Sequence, residues 1–325
     1  MTLFWIFVFI LSLMALVKGA DWVLGSAEKI GLAAGLSPFV VGVIIVSIGT
    51  SFPELISCLA AVIKGVTEFV PANAVGSNIA NILLVVGISA IAARRLSVSK
   101  SLIDLDLPLL AASTALFLGV AWDSIITLSE SLLLLVVYII YVFYTIVHKD
   151  DTTEETLPSR ADRRKKSIKN KNKLTAKDIL FLLIGAIALA IGAKLLIDSI
   201  INLAIIFQIG VSVITLIAVA FGTSLPELLV SVKAAWQKKV DVALGNIFGS
   251  NVFNLMVVVG LPGIFKDLIV DEQTFALALP ILIVATLIFI ISGISRRIHI
   301  WEGAMYLVIY IFFIGCSGFC YCLFY

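Results

Sequence analysis

The sequence predicts an all-α membrane protein of ten transmembrane helices, arranged as two inverted five-helix repeats with broken helices at the centre. Three observations predict it: a lipid-compatible composition, a succession of long apolar stretches, and two motif pairs that match at one offset. Of 325 residues, 61% are hydrophobic and only 14% charged, where soluble domains carry about 25% charged residues. The apolar stretches approach or exceed the roughly 20 residues that a helix needs to cross a bilayer core. A shift of 173 residues lays "GTSFPEL" (49–55) on "GTSLPEL" (222–228), and "NAVGSNIANILLVVG" (73–87) on "NIFGSNVFNLMVVVG" (246–260), without a gap. Polar motifs that agree at a single offset through apolar sequence indicate a duplication; Gly19 and Ala20 likewise fall on Gly192 and Ala193.

The predicted spans are 2–34, 38–63, 71–93, 102–121, 125–147, 175–206, 211–236, 241–262, 271–293 and 300–324. Their continuous apolar character argues for helices, because membrane strands alternate over about ten residues. The first span is read as a retained helix, not a secretory leader: no basic region precedes it, its first cation is Lys18, and its copy near 177–206 is internal. The second and third spans carry the two motifs, and the seventh and eighth carry their copies. The chain thus divides into a first repeat (1–147), a basic linker (148–174) and a second repeat (175–325). Five spans per half is an odd number, so the second copy enters the membrane from the opposite side. Inverted repeats of this kind recur in secondary transporters, with the substrate site at the midplane between the repeats.

Positive charge fixes the expected orientation. Arg94, Arg95, Lys100, Lys238, Lys239, Arg296 and Arg297 share one side with the linker and its run "RADRRKKSIKNKNK" (160–173), whereas Lys64 and Lys266 fall opposite, among Glu68, Asp123, Asp267, Asp271 and Glu272. The positive-inside rule puts the linker in the cytoplasm and both termini outside. The linker reads as a solvated, topology-fixing segment that also suits anionic lipid headgroups. Cys58, Cys316, Cys320 and Cys322 read as small apolar residues within helices.

On a helix, Ser47, Thr50, Ser51 and Glu54 share one face, and Pro53 leaves the Gly49 carbonyl without its donor. Ala220, Thr223, Ser224 and Glu227, with Pro226 and Gly222, repeat the pattern, alanine replacing the first serine. In the second motif Asn73, Ser77 and Asn81 form one stripe, Gly76 allowing an irregular turn or a close helix approach; Asn246, Ser250, Asn254 and Gly249 are the copies. Buried carboxylates are costly in a membrane and need a partner. No cation sits near Glu54 or Glu227 in these helices, which leaves a bound cation or a proton. Two carboxylates among neutral oxygens match one calcium or about two sodium ions and disfavour zinc and copper. The asparagines read either as ligands or as glue between helices.

These residues resemble the calcium/cation antiporter superfamily, and in particular its prokaryotic sodium/calcium exchanger branch, over essentially the whole chain. The resemblance implies an antiporter, not an enzyme, that exchanges calcium for sodium by alternating access and expels calcium. It implies that Glu54, Glu227, Thr50 and Thr223 hold calcium. Ser47, Ser51, Ser77, Asn81, Ala220 (through its carbonyl), Ser224, Ser250 and Asn254 would form the sodium sites around it. It also implies that the long first and sixth helices slide as a pair. Some relatives, many potassium-dependent ones among them, carry aspartate where this chain has Asn254, so potassium cotransport is not expected. No cofactor and no nucleic acid are implied beyond the transported ions and the lipid, and the monomer is the expected functional unit. The alternatives are a proton-coupled divalent cation antiporter, a channel, and an intramembrane hydrolase. The last needs a base near a serine, yet His148 and His299 lie in or beside loops, away from Ser51 and Ser224.

Overall fold

The protein is described by a computed structural model covering residues 2–97, 106–148, 175–207 and 224–324, with the side chains of 148, 204 and 316–324 excepted. Ten helical stretches lie within the described residues: α1 (Thr2–Ala34), α2 (Pro38–Ile63), α3 (Phe69–Ala93), α4 (Leu107–Val120), α5 (Leu128–His148), α6 (Ala176–Ile206), α7 (Leu225–Trp236), α8 (Val240–Gly263), α9 (Thr274–Ile294) and α10 (Ile300–Phe324). Seven of them, α1, α2, α3, α5, α6, α8 and α9, are long and apolar enough to cross a membrane, and Leu107–Val120 and Ile300–Gly315 are shorter apolar helices. Of the seventh predicted span, 211–236, only the half that forms α7 is described. The start of the fourth, at 102, and nearly all of the linker, 149–174, also lie outside the described residues.

Four short strands, which the sequence did not announce, tie the helix ends together. β1 (Arg95–Ser97) pairs antiparallel with β4 (Arg297–His299), and β2 (Ile125–Ile126) with β3 (Leu268–Ile269). The offset of 173 carries Arg95 onto Leu268 and Ile125 onto Ile298, so each ribbon is the copy of the other.

Helices α2, α3, α7 and α8 form the interior, and the described polar residues of both motifs and their copies lie on them or, for Ser224, at the start of α7. Helix α1, by contrast, exposes Leu3, Phe7, Met14 and other large apolar side chains along its length, a surface suited to lipid and not to water. It lies against α6, and glycine sets their separation. A β-carbon on Gly19 would stand 3.0 Å from the Gly185 carbonyl oxygen, and one on Gly192 would stand 3.0 Å from the Leu16 side chain. Closer to the site, α2 crosses α8 at Gly42 and Gly245, whose α-carbons face each other across the contact.

The helix breaks differ from those expected at Pro53 and Gly76. Pro53 sits inside an unbroken α-helical stretch, Ser47–Ile63, because losing one hydrogen bond is tolerable where packed neighbours hold both sides of the gap. The irregular turns are wide π segments at Val41–Val46, Asn81–Val85, Asn254–Val258 and Thr274–Ala278, the second and third starting at equivalent asparagines. In the second copy Pro226 does mark a boundary, in the first turn of α7, where its missing N–H costs nothing. Gly249 serves close approach, facing the Val43 carbonyl and the Ser47 side chain.

Ion pairs join α1 to its neighbours at the edge of this interior. Lys233 on α7 meets Asp21 at 2.6 Å and also donates to the Val17 carbonyl at 3.0 Å. Lys239 meets Glu28 at 2.7 Å, and Lys29 meets Asp178 on α6 at 3.1 Å. Lys233, six residues beyond Glu227, is thus engaged by α1 and does not serve as that glutamate's partner.

Candidate functional site

Helices α2 and α7 deliver the two acids from opposite sides of one polar cluster. On α2, Ser47, Thr50, Ser51 and Glu54 are all buried, Glu54 at 2% exposure, as their spacing on one face requires. On α7, Glu227 is 1% exposed in the first turn, just after Ser224, which is also buried. The contact between the halves is direct: Ser51 Oγ donates to Glu227 Oε1 at 2.8 Å. The Glu54 and Glu227 carboxyl groups are close enough to interact electrostatically. Ala220 and Thr223 lie outside the described residues.

Helices α3 and α8 supply the neutral oxygens. Ser77, Asn81, Ser250 and Asn254 are all buried, the two asparagines each heading a π segment that widens the helix where its side chain leaves. Both Glu54 oxygens, Glu227 Oε2, Ser250 Oγ and both amide atoms of Asn81 and Asn254 make no hydrogen bond among the described residues. Buried polar atoms normally find partners, so these acid, hydroxyl and amide oxygens are left able to accept a cation or a proton. Among the described residues no group of three or more His, Cys, Asp or Glu side chains comes together, which leaves the acid count at two.

The remaining motif asparagines all donate hydrogen bonds through Nδ2, while Asn78 Oδ1 and Asn251 Oδ1 accept none among the described residues. Asn78 Nδ2 donates to the Asn251 carbonyl at 2.9 Å, a bond between equivalent positions of the two copies. Asn251 Nδ2 donates to the Ile247 carbonyl at 2.7 Å. Asn73 Nδ2 reaches Cys58 Sγ at 3.5 Å, and its copy Asn246 donates to Ser231 Oγ, the copy of Cys58, at 2.8 Å. Asn246 also accepts from Thr50 Oγ1 at 3.2 Å. Ser47 donates back to the Val43 carbonyl of its own helix, so its hydroxyl oxygen is what it can present to a cation. Ser231 was not among the residues singled out from sequence. The only signal for it was its alignment with Cys58 at the common offset.

The sequence matches the family described as "Sodium/calcium exchanger protein" over residues 4–147 and 177–319. The chain belongs to the sodium/calcium exchanger family. The exchanger is 34% identical to sodium/calcium exchanger MaX1 of Methanosarcina acetivorans, over 94% of this chain and 96% of that one. It is 28% identical to the inner membrane protein YrbG of Escherichia coli, over 86% of each. Its fold superposes on the sodium-calcium exchanger NCX_Mj soaked with 100 mM Na+ and 10 mM Sr2+ with a TM-score of 0.80, at 28% identity, over 97% of this chain and 99% of that one. Family and structural match together make this multi-pass membrane protein a sodium/calcium exchanger and an ion transporter in place of an enzyme.

Proposed function

We propose that the exchanger expels calcium by trading it for sodium at one shared site that opens alternately to the two faces of the membrane. The observation that carries this reading is the meeting of Glu54 and Glu227, one acid from each copy, in a buried cluster of hydroxyl and amide oxygens. Glu54, Glu227, Thr50 and Thr223 hold calcium; Ser47, Ser51, Ser77, Asn81, the Ala220 carbonyl, Ser224, Ser250 and Asn254 complete the sodium positions. One calcium neutralises the two carboxylates, which removes the cost of burying them. If three sodium ions replace it, one net charge crosses per cycle, worth about 2.3 kcal/mol per 100 mV. With Asn254 in place of a third acid, potassium has no role.

The architecture we propose is ten crossings in two inverted halves, 1–147 and 175–325, joined by a cytoplasmic linker at 148–174, with both termini outside and the monomer as the working unit. It is supported by the equivalence of the two strand ribbons and by the Asn78–Asn251 bond between copies. The glycine contacts of α1 and α6 also exchange under the same offset, Gly19 with Gly192 and Leu16 with Leu189. These two helices slide together over the remainder to alternate access.

Proteoliposomes loaded with sodium and diluted into sodium-free calcium medium test the reading. Calcium uptake that rises with the sodium gradient, is unaffected by potassium and ignores an imposed pH gradient is expected. Uptake driven by pH alone would assign the chain to proton-coupled exchange.

A further inference from the structure

We propose that Asn246, held in place by Ser231, is a positioning residue that turns the Thr50 hydroxyl so that its oxygen faces the transported cation. The inference rests on the reading of Glu54 and Glu227 as a cation site. A hydroxyl carries one proton and two lone pairs, so it ligates a cation well only when its proton points elsewhere. Two acceptors stand outside the site for that proton, the Ser47 carbonyl and Asn246 Oδ1, each 3.2 Å from Thr50 Oγ1. Inside it stands the Glu227 carboxylate, and a proton turned that way would lie between two groups that are to share one cation.

The Asn246 amide presents Oδ1 to Thr50 while its Nδ2 donates to Ser231 Oγ at 2.8 Å, an arrangement in which the Ser231 hydroxyl accepts and turns its own proton away from Asn246. Flipped, it would offer an N–H to Thr50 and take up the very lone pair that the cation needs. Thr50, Asn246 and Ser231 are all completely buried, so water does not compete for these bonds. The relay crosses three helices, from α2 through α8 to α7, and it ends one turn beyond Glu227 on the same helix. It therefore couples the hydroxyl ligand of the first copy to the acid-bearing helix of the second. In the first copy the matching amide, Asn73, reaches a thiol instead, Cys58 Sγ at 3.5 Å, and sulfur is a weaker acceptor than a hydroxyl oxygen.

Calcium binding to the purified full-length protein in sodium-free buffer, as a double-mutant cycle of Ser231→Ala with Thr50→Ala, tests this. Ser231→Ala is expected to weaken calcium binding about tenfold, as the loss of one buried hydrogen bond does, and Ser231→Cys, which copies the first repeat, by no more than about threefold. In the Thr50→Ala background, Ser231→Ala is expected to cost nothing further; a merely structural serine would instead give additive losses. Additive losses, or a Ser231→Ala protein that binds like the wild type, would overturn the relay. Wild-type binding that survives replacement of both glutamates would overturn the site itself. Binding that needs the glutamates but ignores Ser231 overturns the relay alone.

Discussion

Replacing Glu54 or Glu227 by glutamine is expected to stop calcium exchange while leaving the protein folded. Each carboxylate is almost fully buried, and three of their four oxygens have no hydrogen-bond partner among the described residues. Glutamine is nearly isosteric, so the packing survives, and removing a buried charge relieves a cost to the fold. The cation loses half of its compensating charge. Because carboxylate count tunes calcium affinity over several orders of magnitude, a loss of at least about a hundredfold is expected for either variant. Thermal unfolding separates this outcome from misfolding. Calcium at a hundred times the wild-type dissociation constant should stabilise the wild type by about 2.7 kcal/mol and either glutamine variant by no more than about 0.4 kcal/mol, with their melting cooperative. A variant that still exchanges at wild-type rate would remove that glutamate from the site.

Gly42→Ala and Gly245→Ala are expected to lose stability markedly. A β-carbon on Gly42 would stand 2.5 Å from the Val242 carbonyl oxygen, 2.9 Å from the Asn246 nitrogen and 2.9 Å from the Gly245 α-carbon, and one on Gly245 would press on the Phe39 carbonyl. These are backbone atoms, which have no rotamer to turn aside, so α2 and α8 must part. Overpacking of this kind costs about 1–3 kcal/mol. Because α2 carries Glu54 and α8 carries Asn246, Ser250 and Asn254, calcium affinity should fall together with the melting temperature. Gly119→Ala is the control: nothing among the described residues lies within 4 Å of a β-carbon there, and alanine favours a helix by up to about 1 kcal/mol. Equal melting temperatures for Gly42→Ala and Gly119→Ala would contradict the close crossing.

The parts legible in the sequence are those fixed by local periodicity and by the duplication. Apolar length placed the helices, and the spacing of Ser47, Thr50, Ser51 and Glu54 placed one polar face, because both depend only on helical geometry. Partners across the fold were not legible. Nothing local marks Ser231 as the acceptor for Asn246, or Asp21 as the partner of Lys233, since each bond joins residues far apart in the chain. The helix irregularities were misplaced for a related reason: a proline announces a lost hydrogen bond, whereas a π turn at Asn81 or Asn254 carries no residue signature and is set by how the widened helix packs. The strand ribbons escaped because two or three residues are too few to show an alternating pattern.

Calcium binding to the purified protein, titrated at several sodium concentrations, tests the shared site most directly. Two carboxylates serving both ions predict that sodium raises the apparent calcium dissociation constant steeply and with an order above one, at an unchanged number of calcium sites. Calcium binding that keeps its affinity as sodium rises would contradict the account.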